Sequence, residues 1–223
     1  MDFSPIVWTG RVLQRAGVEL LKRAGAAGTW LDVGAHHGEV TLGFASRNPG
    51  LKVYAFEPNL RAAARLFGKA PNYIAIPVAV GEEDGSAKFY VNQYDASSSL
   101  LPLSEDPPYW SGGSPLRVES TVTVPTVRLD TFMNLLGIPK VDFLKIDAQG
   151  MDLAVIRSAG KRLTDIDRIT LEVWVGPQPQ YLGTSSKEEV LGYLAERGFA
   201  LAGVESQTDG LEENLTFERK TNA

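Results

Sequence analysis

Residues 29–66 read TWLDVGAHHGEVTLGFASRNPGLKVYAFEPNLRAAARL, and this stretch decides the fold. The apolar run Trp30–Val33 carries one acid, Asp32, and ends in a glycine turn, Gly34-Ala35-His36-His37-Gly38. An amphipathic stretch, Glu39–Arg47, follows it. A second apolar run, Val53–Phe56, then ends on Glu57. Short apolar runs bounded by turn signals read as buried strands, and a 3.6-residue repeat between them reads as a helix. The unit is strand, glycine turn, helix, strand, with an acid at the second strand's tip. Such a unit suits a nucleoside: the glycines let backbone approach the ligand, and the acid accepts from a ribose diol.

Outward from this unit the alternation continues. Val12, Leu13, Ala16, Leu20, Leu21 and Ala24 share one helical face, giving a helical segment within residues 1–27. Strands are predicted at Thr29–Val33, Lys52–Glu57 and Tyr73–Val80, with a helix over Asn59–Gly68. Pro77 interrupts the third strand, which places it at a sheet edge or ends it early. The pattern then changes. Ser86–Asn92 and Val118–Val127 alternate like antiparallel strands around a Ser-, Pro- and Gly-rich loop, Gln93–Leu116. A loop that long in a compact domain suggests a lid or a functional excursion. Tyr94, Tyr109 and Trp110 sit on it.

Past the loop, Asp130–Leu136 reads as a helix and Val141–Ile146 as a strand ending at Asp147. Gly150–Ser158 opens a helix, and Arg168–Val175 is a strand carrying Glu172. Ser185 and Ser186 each precede a glutamate by three residues, two overlapping capping-box candidates for a helix that stops at Gly198. Phe199–Val204 and Leu215–Arg219 finish the chain as strands. The expected fold is α/β: a doubly wound, mostly parallel seven-stranded sheet, with a β-hairpin and long loop inserted at 81–128. One domain over 1–223 accommodates all of it.

The chain is 43% hydrophobic and 22% charged, which fits a globular domain rather than a disordered one. With no cysteine, disulfides, thiolate metal sites and a Cys nucleophile are excluded. A net charge of -5 without a basic block argues against nucleic acid as the partner. No apolar run approaches membrane-spanning length, and the first residues do not read as a signal peptide, so a cytoplasmic location is the expectation. A homodimer through loop aromatics is compatible with the sequence.

Four acids fall at or near predicted strand ends: Asp32, Glu57, Asp147 and Glu172. In a doubly wound sheet the ligand sits at those ends, at the switch point of the strand order. The turn has two glycines four apart, where a dinucleotide fingerprint has three. The absent central glycine is the one that admits a pyrophosphate. S-adenosylmethionine has none, so Asp32 would face its ammonium and Glu57 its ribose hydroxyls. A nicotinamide-dependent oxidoreductase is the alternative, since Glu57 also stands where such an enzyme places its ribose acid. A non-catalytic nucleoside-binding protein is another.

LDVGAHHGEVT, AFEPN, AVGEEDGSAKFYV, VRLDTF, FLKIDAQGMDLAVI and ITLEV, in that order over roughly residues 29–175, resemble the FkbM-type family of S-adenosylmethionine-dependent methyltransferases. The resemblance implies a class I methyltransferase that O-methylates a hydroxyl of a natural product or sugar. The family commonly has Asn where His36 stands, and often Glu in place of Gln149 and of Asp152. Donor binding is expected at Asp32, Gly34, Ala35, His36, Gly38, Glu57, Pro58, Asn59, Asp147 and Gln149. Adenine is expected near Ala79, Val80 and Gly81. Asp147 is the best-placed base, with Glu172, Lys145 and His37 as further catalytic candidates. Asp147 and Glu172 could instead share a divalent cation through oxygen ligands. Lys145 could pair with an acid, and Glu172 is one candidate partner for it.

Overall fold

The computed structural model describes residues 26–105 and 116–220. The helical face from Val12 to Ala24, and Tyr109 and Trp110, lie outside the described residues.

Strand β1 (Gly28–Val33) leads through the glycine turn to helix α1 (Leu42–Arg47) and strand β2 (Leu51–Phe56). The helix begins later than predicted because Gly38, at φ 79°, and the residues after it are spent on a turn. Helix α2 (Leu60–Ala63) is shorter still. Its N-cap Asn59 accepts from the Arg61 N–H at 3.1 Å, and turns carry the chain on to Gly68. The predicted third strand splits at Pro77. Strand β3 (Tyr73–Ile76) stays at the sheet edge, while β4 (Ala79–Val80) leaves for a second sheet. Proline offers no N–H to a ladder, so the chain changes sheets there.

Strands β5 (Gly85–Asn92) and β6 (Val118–Val127) form the predicted antiparallel pair. With β4 alongside β6 they make a three-stranded sheet rather than a bare hairpin. The loop that follows β5 folds back, Ser99 pairing with Tyr90 and Leu103 with Tyr181.

Helix α3 (Leu129–Leu135) precedes β7 (Phe143–Ile146), and Val141 makes only an isolated bridge to Ile166. Helix α4 (Asp152–Ser158), strand β8 (Arg168–Trp174) and helix α5 (Lys187–Glu196) follow. Ser186 and Glu189 close the capping box of α5, so one of the two overlapping candidates is used. Strands β9 (Phe199–Gln207) and β10 (Glu212–Arg219) are longer than predicted and join through a tight turn.

Seven strands form the main sheet in the order β3-β2-β1-β7-β8-β10-β9, with β10 antiparallel to both neighbours. The chain leaves β1 for β2 on one side and returns to β7 on the other, which opens a crevice between them. Buried Leu, Ile and Val side chains of β1, β7 and β8 pack with α3, α4 and α5 on one face. On the other, Trp30 stacks on Phe44 and meets Phe143 edge-on. Packing on both faces holds the strand ends rigid around the crevice.

Candidate active site

A cavity of about 1210 Å³ opens at the carboxyl ends of β1, β2, β7 and β8, roofed by the β5–β6 loop and the β9–β10 turn. Its floor is the glycine turn. Gly34 sits at φ 71°, and a Cβ there would lie 1.8 Å from the Asp147 carbonyl oxygen. No other residue lets β1 and β7 approach so closely at this point. The N–H groups of Gly34 and Ala35 both donate to the Phe56 carbonyl at 3.0 Å, tying the turn to β2.

Glu57 lines the cavity, and each of its oxygens accepts one backbone N–H at 2.8 Å: Oε2 from His36, Oε1 from Asn59. Burial pushes its carboxyl up, against the pull of those two donors. A carboxylate oxygen has two lone pairs, so each retains one for a ligand hydroxyl.

Asp32 stands behind the wall rather than on it. Its Oδ2 accepts from the Thr41 hydroxyl and from the Tyr73 hydroxyl, the latter at 3.3 Å. Its Oδ1 lies 3.1 Å from the Lys145 ammonium. Lys145 also donates to the Gly34 carbonyl at 2.6 Å. Burial alone would lower the lysine, but Asp32 and Asp147 outweigh it and hold it charged. The sheet register explains this choice of partner. Lys145 stands opposite Asp32 on β1 and opposite Thr170 on β8, so Glu172 lies two residues beyond reach. The Lys145–Glu172 pair entertained from sequence does not form; Glu172 Oε1 accepts from Gln207 Nε2 at 3.3 Å.

Asp147 lines the cavity with its side chain 40% exposed. Its Oδ1 accepts from Gln149 Nε2 at 2.7 Å. Gln149, in the left-handed region at φ 51°, has its Oε1 2.7 Å from the Tyr181 hydroxyl. That hydroxyl also lies 2.6 Å from the Ser97 carbonyl. The Ser99 hydroxyl donates to the Gln149 carbonyl at 2.7 Å. The inserted loop is thereby coupled to the segment that aims Asp147.

Glu172 lines the same cavity, and burial with Asp147 and Glu212 nearby pushes it well above the usual carboxylate range. Burial likewise raises Glu212, and it raises Asp152 to about 7. His36 places Nδ1 2.8 Å from Glu39 and Nε2 3.1 Å from Asp95, bridging the glycine turn to the inserted loop. Burial lowers its pKa, but the two carboxylates more than reverse that. His37 stacks on it at 3.8 Å and has Nε2 3.0 Å from Arg65 Nη1. Burial and His36 lower the pKa of His37. Among the described residues, His36, His37 and Asp95 are the group whose three ligating atoms lie within 4.8 Å of one another. Among the described residues, Asp147 and Glu172 belong to no such group.

Ala35, His36, Pro58, Ala79, Val80, Asp147 and Gln149 line the cavity as well, whereas Gly38 and Asn59 stand behind it. Glu39, Asp95, Gln207, Tyr181 and Glu212 were not singled out from sequence. Glu212 had a readable signal. It opens an antiparallel strand, and such a strand begins at the edge where its parallel neighbours end. Asp95 and Tyr181 carried none, because loop docking leaves no period.

The Methyltransferase FkbM domain family matches residues 32–201. The chain is similar to the 2-O-methyltransferase NoeI of Sinorhizobium fredii, 27% identical over 60% of this chain and 58% of NoeI. It is also similar to the hexuronic acid methyltransferase AglP of Haloferax volcanii, 25% identical over 57% of this chain and 49% of AglP. The matches thus span about half of the length of those relatives. A solved structure of TrmK from M. capricolum, in complex with S-adenosyl-homocysteine, shares the fold. Its TM-score is 0.52 at 9% identity, covering 92% of this chain and 68% of that one.

Proposed function

The chain belongs to the FkbM methyltransferase family, and from that premise we propose that it moves the methyl group of S-adenosylmethionine to a hydroxyl of a saccharide or similar small molecule. The observation that carries the reading is one cavity holding Glu57 at one side and Asp147 at the other. Glu57 keeps a free lone pair on each oxygen for a ribose diol. Gly34 closes the glycine turn against Asp147, where any Cβ would meet the Asp147 carbonyl oxygen. Ala79 and Val80 offer an apolar wall for a base.

When bound, the donor supplies a sulfonium methyl whose C–S bond breaks, its electron pair passing to sulfur, as the acceptor oxygen bonds to carbon. Asp147 is half open to the cavity and takes the hydroxyl proton. Gln149 occupies its Oδ1, so Oδ2, 3.6 Å from the Lys145 ammonium, is the oxygen that takes the proton. Lys145 is a positioning residue: its ammonium donates to the Gly34 carbonyl, pairs with Asp32 and faces Asp147 Oδ2 at 3.6 Å, so it holds both the turn and the base. Asp32 acts through that lysine. His37 is turned towards Arg65 and is not needed as a base. The names of NoeI and AglP support a sugar acceptor.

The test is methyl transfer from labelled donor to a panel of saccharides, with Asp147→Ala as control. Transfer that the variant lacks supports the reading; equal transfer by the variant removes Asp147 from the mechanism.

A further inference from the structure

We propose that His36, His37 and Asp95 hold a divalent transition-metal ion of the zinc type, which clasps the inserted loop onto the glycine turn. None of the three takes part in the proton transfer described above. Among the described residues, they are the group of histidines and acids whose ligating atoms all lie within 4.8 Å of one another. They come from two segments. The histidines belong to the turn after β1, and Asp95 opens a short 3₁₀ helix, Asp95–Ser97, in the loop after β5. All three line the cavity.

Glu39 orients the rings for this task. Its Oε1 lies 2.8 Å from His36 Nδ1 and 3.7 Å from His37 Nδ1, and its Oε2 accepts the His37 backbone N–H at 3.1 Å. A histidine ligand gives its other ring N–H to a carboxylate or carbonyl, which fixes the tautomer and leaves the second nitrogen for the metal. Here the Nδ1 edges of both rings turn to Glu39, so both Nε2 edges face away from it. The rings stack, with centroids 3.8 Å apart and an interplanar angle of 28°. His36 Nε2 then meets Asp95 Oδ1 at 3.1 Å. His37 Nε2 meets Arg65 Nη1 at 3.0 Å, and because arginine only donates, this nitrogen carries a lone pair. Arg65 is exposed, and its guanidinium gives way to the ion by turning into solvent.

The spacing and the donor set select the kind of ion. Zinc takes nitrogen and oxygen at about 2.1 Å in tetrahedral geometry, which sets neighbouring ligand atoms about 3.4 Å apart. The 3.1 Å between His36 Nε2 and Asp95 Oδ1 is close to that. A proton bridges this gap when the ion is away, and metal binding releases it. Imidazole nitrogens suit zinc and its neighbours, whereas magnesium and calcium take oxygen ligands. Three protein ligands leave a fourth position for water. His36 and Asp95 are 59 residues apart in the chain, so one ion would close a long loop at a single point.

Calorimetry with ZnCl₂ and MgCl₂ on the full chain, free of any histidine tag, decides this. The sequence has no cysteine and only these two histidines, so zinc meets few rival sites. ZnCl₂ should bind one-to-one and raise the melting temperature, and MgCl₂ should give no saturable heat. His37→Gln on the turn and Asp95→Asn on the loop should each remove both effects of zinc, and either variant suffices should the other not fold. Glu39→Gln should weaken zinc ~10- to 100-fold, the range for a group that orients a ligand. No saturable heat from zinc, magnesium binding as tight as zinc, or zinc binding left unchanged in His37→Gln or Asp95→Asn overturns the inference.

Discussion

Lys145 and Asp32 form a buried ion pair, Nζ to Oδ1 3.1 Å, beneath the glycine turn that floors the cavity. The lysine then donates upward to the Gly34 carbonyl. Breaking a buried pair by removing one partner leaves an uncompensated charge, at a cost of about 3–5 kcal/mol. Lys145→Met should therefore lower unfolding stability by that amount in urea melts. A loss under about 1 kcal/mol would show that the pair does not hold the turn.

Glu57→Gln keeps the shape of the side chain and removes its charge. Hydrogen bonds to charged groups contribute about 1.5–3 kcal/mol, so affinity for S-adenosylhomocysteine should fall about 10- to 100-fold by calorimetry. The pH dependence follows from the raised carboxyl. The ionised form accepts ribose hydroxyls, so affinity is held above the raised folded-state value and lost as pH falls through it. Affinity unchanged between pH 7 and pH 4.5 would place the ribose elsewhere.

Asp147→Asn should leave donor affinity intact and slow turnover by ~10²–10⁴-fold, the range of a general base. Tyr181→Phe deletes the hydroxyl that meets Gln149 Oε1, and frees the amide that aims Asp147. Its kcat should fall while donor affinity holds, and the acidic limb of its pH profile should move. An unmoved profile with reduced kcat would reduce Tyr181 to a packing residue.

His36 links the glycine turn to the inserted loop through Glu39 and Asp95. A histidine raised in the folded state contributes stability fully below its unfolded value of 6.5 and gives it up as pH rises through the folded value. The gap in melting temperature between the native chain and His36→Gln should be wide at pH 5.5 and narrow at pH 8.5. A gap that widens with pH would mean that the neutral ring makes the contact. Glu39, held down to about 2 chiefly by His36 against its burial, stays ionised throughout that range.

Much of this site was readable because strands have a period of two and end at one edge. Trp30–Val33 with Gly34, and Val53–Phe56 with Glu57, show from spacing alone where the cavity lies. Period two also put Lys145 and Asp147 on the same face of β7. The partner of Lys145 was not readable, because it depends on which residue of β1 stands opposite, and register belongs to the assembled sheet. Asp32 was expected to face the donor's ammonium, directly or through water; that register also gives it Lys145 as a partner, which the sequence did not announce. Pro77 announced an edge strand, but not that Ala79 and Val80 would join a second sheet. Asp95 reaches the site on a folded-back loop and Tyr181 on the β8–α5 connection that this loop pairs with, and such contacts follow no local pattern.

The central claim is that this cavity holds the methyl donor. Titration of the purified chain with S-adenosylhomocysteine, beside NADH under the same conditions, tests it most directly. The account predicts saturable one-to-one binding of S-adenosylhomocysteine, weakened in Glu57→Gln, with no heat from NADH. Saturable binding of NADH with none of S-adenosylhomocysteine would contradict it.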